Sequence, residues 1–395
     1  MRNLTHSTLA CTLAFGSLFA GASPALAADI AARTFHDTFP AGQTVRLANL
    51  VGAVDLVPAP AGPVTVEVTV HARGEDAAET QRLLAGVRWI KARDRKGNEE
   101  LALSYPVSQY RGFCYPEPER PENHIPAFLT FLDGSVTTAS YLGETVRVYP
   151  RERRGAPILY ADLKVGVPAG GSLALRHLVG TIRGGDLEAT LELGSGASDV
   201  RIASVAGRLT VDDGSGDLDL GTLKGETAIT TGSGDVKVGN LIGNGNFKTG
   251  SGDLTIGRVA AGSLKVKTGS GDVFVREGTA ASVFADTGSG DVRLAKLAVE
   301  ELAADTRSGD VSVGGSLERA HHLSIQTGSG DVRIAGGPAA AFDLTSSQGS
   351  GDLSVGYADA VLRRKGEKLV GARRGDGRTV IAVHTRSGDC TITPR

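Results

Sequence analysis

Short runs of alternating apolar and polar residues fill the second half of the chain. In LKVKTGSGDVFV, Leu264, Val266 and Thr268 alternate with Lys265 and Lys267. Beyond the turn, Val273 and Val275 alternate with Asp272 and Phe274. Period two on both sides of Gly-Ser-Gly predicts strand, turn, strand. The glycines are expected to supply backbone angles that residues with a Cβ avoid, and the aspartate to accept backbone N–H bonds within its own turn. A second connection follows, such as GNLIG after Val238, and then the unit begins again.

The tripeptide SGD ends at Asp217, Asp235, Asp253, Asp272, Asp291, Asp310, Asp331, Asp352 and Asp389. Degenerate copies sit at Asp186 (GGD) and Asp199 (GSGASD). From Asp199 to Asp352 successive aspartates are 18, 18, 18, 19, 19, 19, 21 and 21 residues apart. A fixed period of this kind marks a solenoid. A meander of hairpins also fits the alternation. A parallel β-helix better explains why one residue type returns at one place, because stacked coils bring equivalent side chains into register. The expected fold is therefore all-β: a right-handed parallel β-helix of 18–21-residue coils. Its hand follows the usual chirality of parallel crossovers.

The rest of the chain departs from this period. Glu75–Val87, EDAAETQRLLAGV, spaces Ala78, Leu83, Leu84 and Val87 near helical intervals and predicts one short helix. VRWIKAR and ELALSY read as strands beside it, and NLVGAVDLVP (Asn49–Pro58) resembles a stray repeat. The chain divides into a leader at 1–27, a β-rich segment with the helix at 28–105, an aromatic and Pro-rich insertion at 106–158, and the repeat region at 159–395. The leader follows from Arg2, an apolar run from Leu9 to about Ala22, and small residues at Ala25 and Ala27. It implies export to the periplasm, the cell surface or beyond. No later stretch is apolar enough to span a bilayer.

The early VGAVDL, a strand–helix–strand, ADLKVGVPAGGSLALRHLVGTIRGGDLEATLELGSG and the serial TGSGDV units resemble the bacterial putative-adhesin family, a group of largely unknown function related to head GIN-type domains. The resemblance covers about 40–105 and 160–395. It implies a β-helical, exported cell-envelope protein and supplies no catalytic residues. Residues 106–158 depart from the pattern.

Composition agrees with a thin core. The chain has 54 glycines among 395 residues, 5% aromatics, one Trp and one Met. Its net charge of −2 gives no basic domain for nucleic acid. Cys11 lies ahead of most of the leader's apolar run, where a lipoprotein cysteine would follow it. After cleavage Cys114 and Cys390 remain, and in an oxidising compartment they could pair. There is no HExxH, no paired CxxC and no phosphate-binding loop.

The aspartate row allows two readings, braces for the turns or a column of calcium ions. The turn recurs about half as often as in calcium-binding nonapeptide repeats and lacks their second acidic position, which favours the brace and no cofactor. Carboxylates in a regular row meet glycosidase spacings trivially, so the row is no evidence for one. The insertion holds Tyr110, Arg111, Phe113 and Tyr115, candidates for contact with a sugar or protein, or for a lid packed on the helix. Leu362–Arg378 carries seven basic and two acidic residues, and includes the tripeptide RGD. It reads as a solvated hairpin or as an attractor of anionic polymers. Together these features favour a non-catalytic envelope or surface protein that binds polysaccharide or another surface protein. An envelope-stress accessory protein without a ligand and a carbohydrate-active enzyme are the alternatives.

Overall fold

The computed structural model describes residues 30–94, 97–116 and 136–394. The leader expected at 1–27 and residues 117–135 of the insertion lie outside them. The first half contains β1 (Ala31–Phe39), β2 (Thr44–Ala59), β3 (Val64–Arg73), α1 (Ala77–Gly86), β4 (Trp89–Arg93), β5 (Glu99–Leu103), β6 (Gly112–Cys114), β7 (Thr137–Tyr141), β8 (Glu144–Tyr149), β9 (Ile158–Pro168) and β10 (Gly171–Ala206). The repeat continues through β11 (Leu209–Asp213), β12 (Leu218–Lys224), β13 (Thr227–Thr231), β14 (Val236–Ile242), β15 (Gly245–Thr249), β16 (Leu254–Thr268), β17 (Val273–Thr287), β18 (Val292–Thr306) and β19 (Val311–Gly314). It ends in β20 (His322–Thr327), β21 (Val332–Gly336), β22 (Phe342–Gln348), β23 (Leu353–Val355), β24 (Val361–Lys365), β25 (Lys368–Arg374), β26 (Thr379–Thr385) and β27 (Cys390–Pro394).

Pairing between successive repeats is parallel and in register. Thr231 lies beside Thr249, Thr249 beside Thr268, Thr268 beside Thr287, and Thr287 beside Thr306. Equivalent residues therefore stack coil on coil, as in a β-helical solenoid and unlike a meander. The alternation sends Ile229, Val236, Val238 and Leu241 inward in one coil, and Phe247, Leu254, Ile256 and Val259 in the next. A lone coil would leave these groups open on two sides, so burial comes from stacking neighbours.

The turn works differently from the sequence expectation. Gly269, Gly271, Gly288 and Gly290 all keep φ outside the left-handed range. Their constraint is space. A Cβ on Gly290 would lie 2.0 Å from the carbonyl oxygen of Gly271, and one on Gly288 would lie 2.3 Å from that of Gly269. Positive φ belongs to the other connection, at Gly225 (120°) and Gly243 (119°).

Threonine braces the turn. The Thr287 hydroxyl accepts the Gly290 N–H of its own coil at 3.1 Å and donates to the Gly271 carbonyl of the preceding coil at 3.1 Å. The aspartates reach between coils instead of within one. The Asp272 carboxylate accepts the N–H of Asp291 at 2.8 Å, and Asp291 accepts that of Asp310 at 2.8 Å. Stacking puts the next coil's amide within reach of each carboxylate, and these bonds offset repulsion along the row. Asp199 belongs to the row, while Asp186 bonds the Ser204 hydroxyl at 2.6 Å on another part of the coil.

The stray repeat is a true coil. β2 pairs in parallel with β10, Thr44–Leu56 against Ser172–Gly184, so the segment before residue 105 contributes a rung of the stack. Beyond β2 the end is covered by β9, β3 and β1 and by the β4–β5 hairpin. Helix α1 packs there through Leu83 and Leu84, capped by the Asp76 carboxylate on the Glu79 N–H at 2.7 Å; Ala78 stays exposed. At the other end the 37 residues from Asp352 to Asp389, which the sequence suggests are nearly two further coils, hold the β24–β25 hairpin, an antiparallel cover on β22. The chain then doubles back.

Three substitutions test the turn. Gly290→Ala is expected to destabilise by roughly 3 kcal/mol or more, because the clash is with backbone, whereas Ser289→Ala at the exposed tip should stay within about 0.5 kcal/mol. Thr287→Val keeps the shape but strands two buried backbone groups, and should cost about 2–3 kcal/mol in chemical denaturation. Equal stability of all three variants would refute the account.

Candidate functional site

The N-terminal cover does not lie flush on the coils. The β4–β5 hairpin stands over the strand face formed by β2, β10, β11 and β13, leaving an open cleft of about 510 Å³. Two arginine–carboxylate pairs line it. Arg176 binds Glu100 through two nitrogens and lies 5.5 Å from the centre of the Tyr141 ring. Arg46 reaches Glu192 at 3.5 Å. Glu100 is only 3% exposed, so its pairing with Arg176 is what makes its burial tolerable.

The floor of the cleft includes Ser195 and Asp213, members of a polar column that runs inside the turn edge. In most coils this position is the bracing threonine. At the N-terminal end it becomes Asn49, His177, Ser195 and Asp213 in turn. The Asn49 amide donates to the Ala161 carbonyl at 2.8 Å, and its oxygen accepts the Tyr105 hydroxyl at 2.8 Å. His177 Nε2 meets the Gly52 carbonyl at 3.0 Å, which makes it the protonated nitrogen of a neutral ring, while burial pushes the pKa down to about 4. Asp213 Oδ2 accepts the Gly216 N–H at 2.6 Å and the Thr231 hydroxyl at 3.3 Å. Its Oδ1 is buried without a hydrogen-bond partner, and burial raises its pKa to about 6 against those bonds.

The aromatic candidates of the insertion separate. Phe113 is fully buried and Tyr115 nearly so, stacked edge-on at 5.1 Å against Tyr160. Both are core of the N-terminal cover and are unavailable to a ligand, because Tyr105 and Tyr141 pack against the same cluster. Tyr110 is half-buried, with its hydroxyl on the Glu79 carboxylate, and Arg111 is exposed. Phe113 and Tyr115 thus pack into the cover, while Tyr110 and Arg111 stay at its surface. A second depression of about 320 Å³ lies beside Tyr110, bordered by Arg73, Glu152 and Arg153.

Cys114 and Cys390 do not form the disulfide that the sequence allows. Both are free and buried. Cys114 sits beside Tyr149 and Ile158 in the N-terminal cover, and Cys390 lies between Val332 and Leu353 near the other end, with the intervening coils between them. The basic stretch is largely spent on its own neighbourhood. Arg363 reaches Asp343 and the Leu344 carbonyl, and Lys368 caps the Gln348 and Gly349 carbonyls. Arg374 of the RGD tripeptide binds Asp359 at 2.7 Å over the Tyr357 ring, which rules out presenting that tripeptide as a free arginine. Among the described residues no group of three or more His, Cys, Asp or Glu side chains converges to hold a metal ion.

The sequence did not point to the cleft because Arg46, Glu100, Arg176, Glu192 and Asp213 come from separate coils and a hairpin. One signal was present: DDGSGD places Asp213 where the later units have threonine.

Residues 224–393 match the family model described as Toastrack DUF4097, so the SGD coils and the end hairpin carry that family's pattern. No curated protein matches the chain. Among solved structures it is similar to a putative adhesin from Parabacteroides distasonis, at 13% identity over 91% of this chain and 97% of that one, with a TM-score of 0.38. A putative lipid binding protein from the same organism matches at 10% identity over 91% and 96%, with a TM-score of 0.35. A putative cell adhesion protein from Clostridium sporogenes matches at 9% identity over 92% and 100%, with a TM-score of 0.15.

The two buried titratable groups of the column predict opposing pH effects. Asp213 rises from 3.8 to about 6, so the folded state holds a proton that the unfolded state has lost, and its contribution to stability grows as pH falls from 6 to 4. His177 falls from 6.5 to about 4, so its contribution shrinks as pH falls from 6.5 to 4. Asp213→Thr, which restores the bracing residue, should add about 2–3 kcal/mol at pH 8. It should also leave the His177 slope unopposed, so that the variant loses stability between pH 6.5 and 4 more steeply than the natural chain. Parallel melting profiles across that range would contradict the Asp213 assignment, and a variant whose stability does not fall from pH 6.5 to 4 would contradict that of His177.

Proposed function

We propose that this chain, whose residues 224–393 carry the Toastrack pattern, is an exported, non-catalytic binding scaffold of the cell envelope, and that it binds an anionic polysaccharide. The leader supports export, to the periplasm or the surface. The observation that carries the ligand class is the strand face onto which the cleft opens. Past Arg46 and Arg176 it continues to Lys248, Lys265 and Lys267, and the last two lie 5.7 and 5.2 Å from the centre of the half-buried Phe284 ring. Lys267 is paired with Asp286 at 2.9 Å, which leaves Lys265 as the ammonium beside the ring. An aromatic ring with a cation beside it on a flat sheet suits a sugar ring bearing a carboxylate or sulfate. The repeated threonines and aspartates, by contrast, are engaged in holding coil to coil. This reading needs no metal and no reacting group.

Binding of labelled acidic polysaccharides and whole bacterial cells, measured at low and high salt, tests it. Replacing Lys265, Lys267 and Phe284 together by Ser should weaken binding at least tenfold while the chain stays folded, since all three stand on the outer face of the sheet and none lies in the core. Millimolar calcium or chelator should leave the melting temperature unchanged. The exported protein should begin at Ala28. Absence of binding to every acidic polymer and cell type would leave a scaffold without its own ligand and defeat the proposal.

A further inference from the structure

Stacking order and sequence order part company at the C-terminal end. The coil of β20 and β21 and the coil of β22 and β23 follow each other in sequence but do not touch as neighbours. β26 pairs with β20 on one side and β22 on the other, and β27 pairs with β21 and β23. The aspartate row records the same order. Asp389 donates its N–H to Asp331 at 2.9 Å, and Asp352 donates to Asp389 at 2.9 Å. The chain thus passes over one rung through residues 337–341, builds the next coil, adds the β24–β25 hairpin beyond it, and turns back to fill the rung it skipped.

The filling segment is held as any coil is held. Ile381, Val383, Cys390 and Ile392 are buried. Thr385 accepts the Gly388 N–H at 2.8 Å and donates to the Gly330 carbonyl at 3.4 Å. Both walls of the rung come from residues that precede the segment. Its covalent tie is the exposed turn 375–378, with Gly375 at φ 63° and Gly377 at φ 70°.

We propose that this rung is a strand-acceptor slot, and that residues 379–394 of a second copy of the chain can fill it, so that two copies exchange their C-terminal coils. Every contact the segment makes on both walls is equally available from another copy, and only the turn must change. The same end also shows the most exposed large apolar side chain of the described residues. Val361 is 70% exposed and Leu362 46%, on β24, which pairs on one side only.

Chain length supplies the test. Arg374 and Thr379 pair with Phe342 from opposite sides, so the turn spans two strand spacings, about 9.6 Å. Deleting Gly375–Gly377 leaves Arg378 alone, which reaches at most about 7.6 Å. The shortened chain cannot refill its own rung but can fill a partner's. Light scattering should find it a dimer, with Cys390 still protected from alkylation. A monomer, whether Cys390 is protected or reactive, overturns the proposal. Should that variant aggregate, a protease site inserted between Gly375 and Asp376 of the full chain decides. After nicking, a labelled peptide of residues 376–394 in tenfold excess should replace the resident segment below the global melting temperature, at one label per chain. A segment that leaves only on global unfolding, or equal uptake of label by the un-nicked chain, overturns it.

Discussion

Everything in this molecule depends on how closely one turn lies on the next. Coils repeat at the strand spacing of about 4.8 Å, and at the turn edge the backbone of one coil presses on the next with no allowance for a side chain. The distance of 2.0 Å between a would-be Cβ on Gly290 and the Gly271 oxygen states that constraint directly. Once glycine is required on both sides of the exposed serine, the turn has no packed side chain of its own with which to stay ordered. The flanking threonine and aspartate take up that task. Each spends its polar atoms on a backbone group that would otherwise be unpaired, and each ties two coils together, so local order and stacking are the same set of bonds.

That economy explains where the repeat can change. A threonine hydroxyl both donates and accepts, which is what a position between two coils needs. Serine and asparagine can do something similar near the N-terminal cover, where the neighbours differ. Three members of the column leave one atom buried and unpaired: His177 at Nδ1, Gln348, which takes the threonine position beside Thr385, at Oε1, and Asp213 at Oδ1. The Asp213 carboxylate accepts but cannot donate while ionised, so one oxygen is left buried and unpaired and its pKa rises toward 6. This last departure sits under the cleft, at the one end where an outside element, the β4–β5 hairpin, stands over the strand face.

A stack of identical coils also has to end, because each terminal coil presents unpaired backbone and apolar side chains. The two ends are finished differently. At the N-terminal end β9, β3, β1, the short helix and an aromatic cluster form a cover. At the C-terminal end the chain lays an antiparallel hairpin across its last coil, uses Arg363 and Lys368 to cap the coil's carbonyls, and returns to complete the stack from behind.

The coil period, the inward alternation of Val, Leu and Ile, the parallel register and the helix near residue 80 were all legible in the sequence, because each depends on local spacing that the chain repeats. NLVGAVDLVP could be recognised as a coil for the same reason. What the glycines and aspartates do was not legible, since both act between coils: a glycine excluding a Cβ and a glycine with positive φ look alike in a sequence. The fates of Phe113, Tyr115, Cys114 and Cys390 also depended on which distant strands covered them. The cleft was hidden because its arginines and carboxylates meet only after separate coils stack. The order of the last two coils was hidden most completely. A period shows how long a coil is but not which rung it occupies, and that is decided by which pair of walls is still open when residues 379–394 come to be placed.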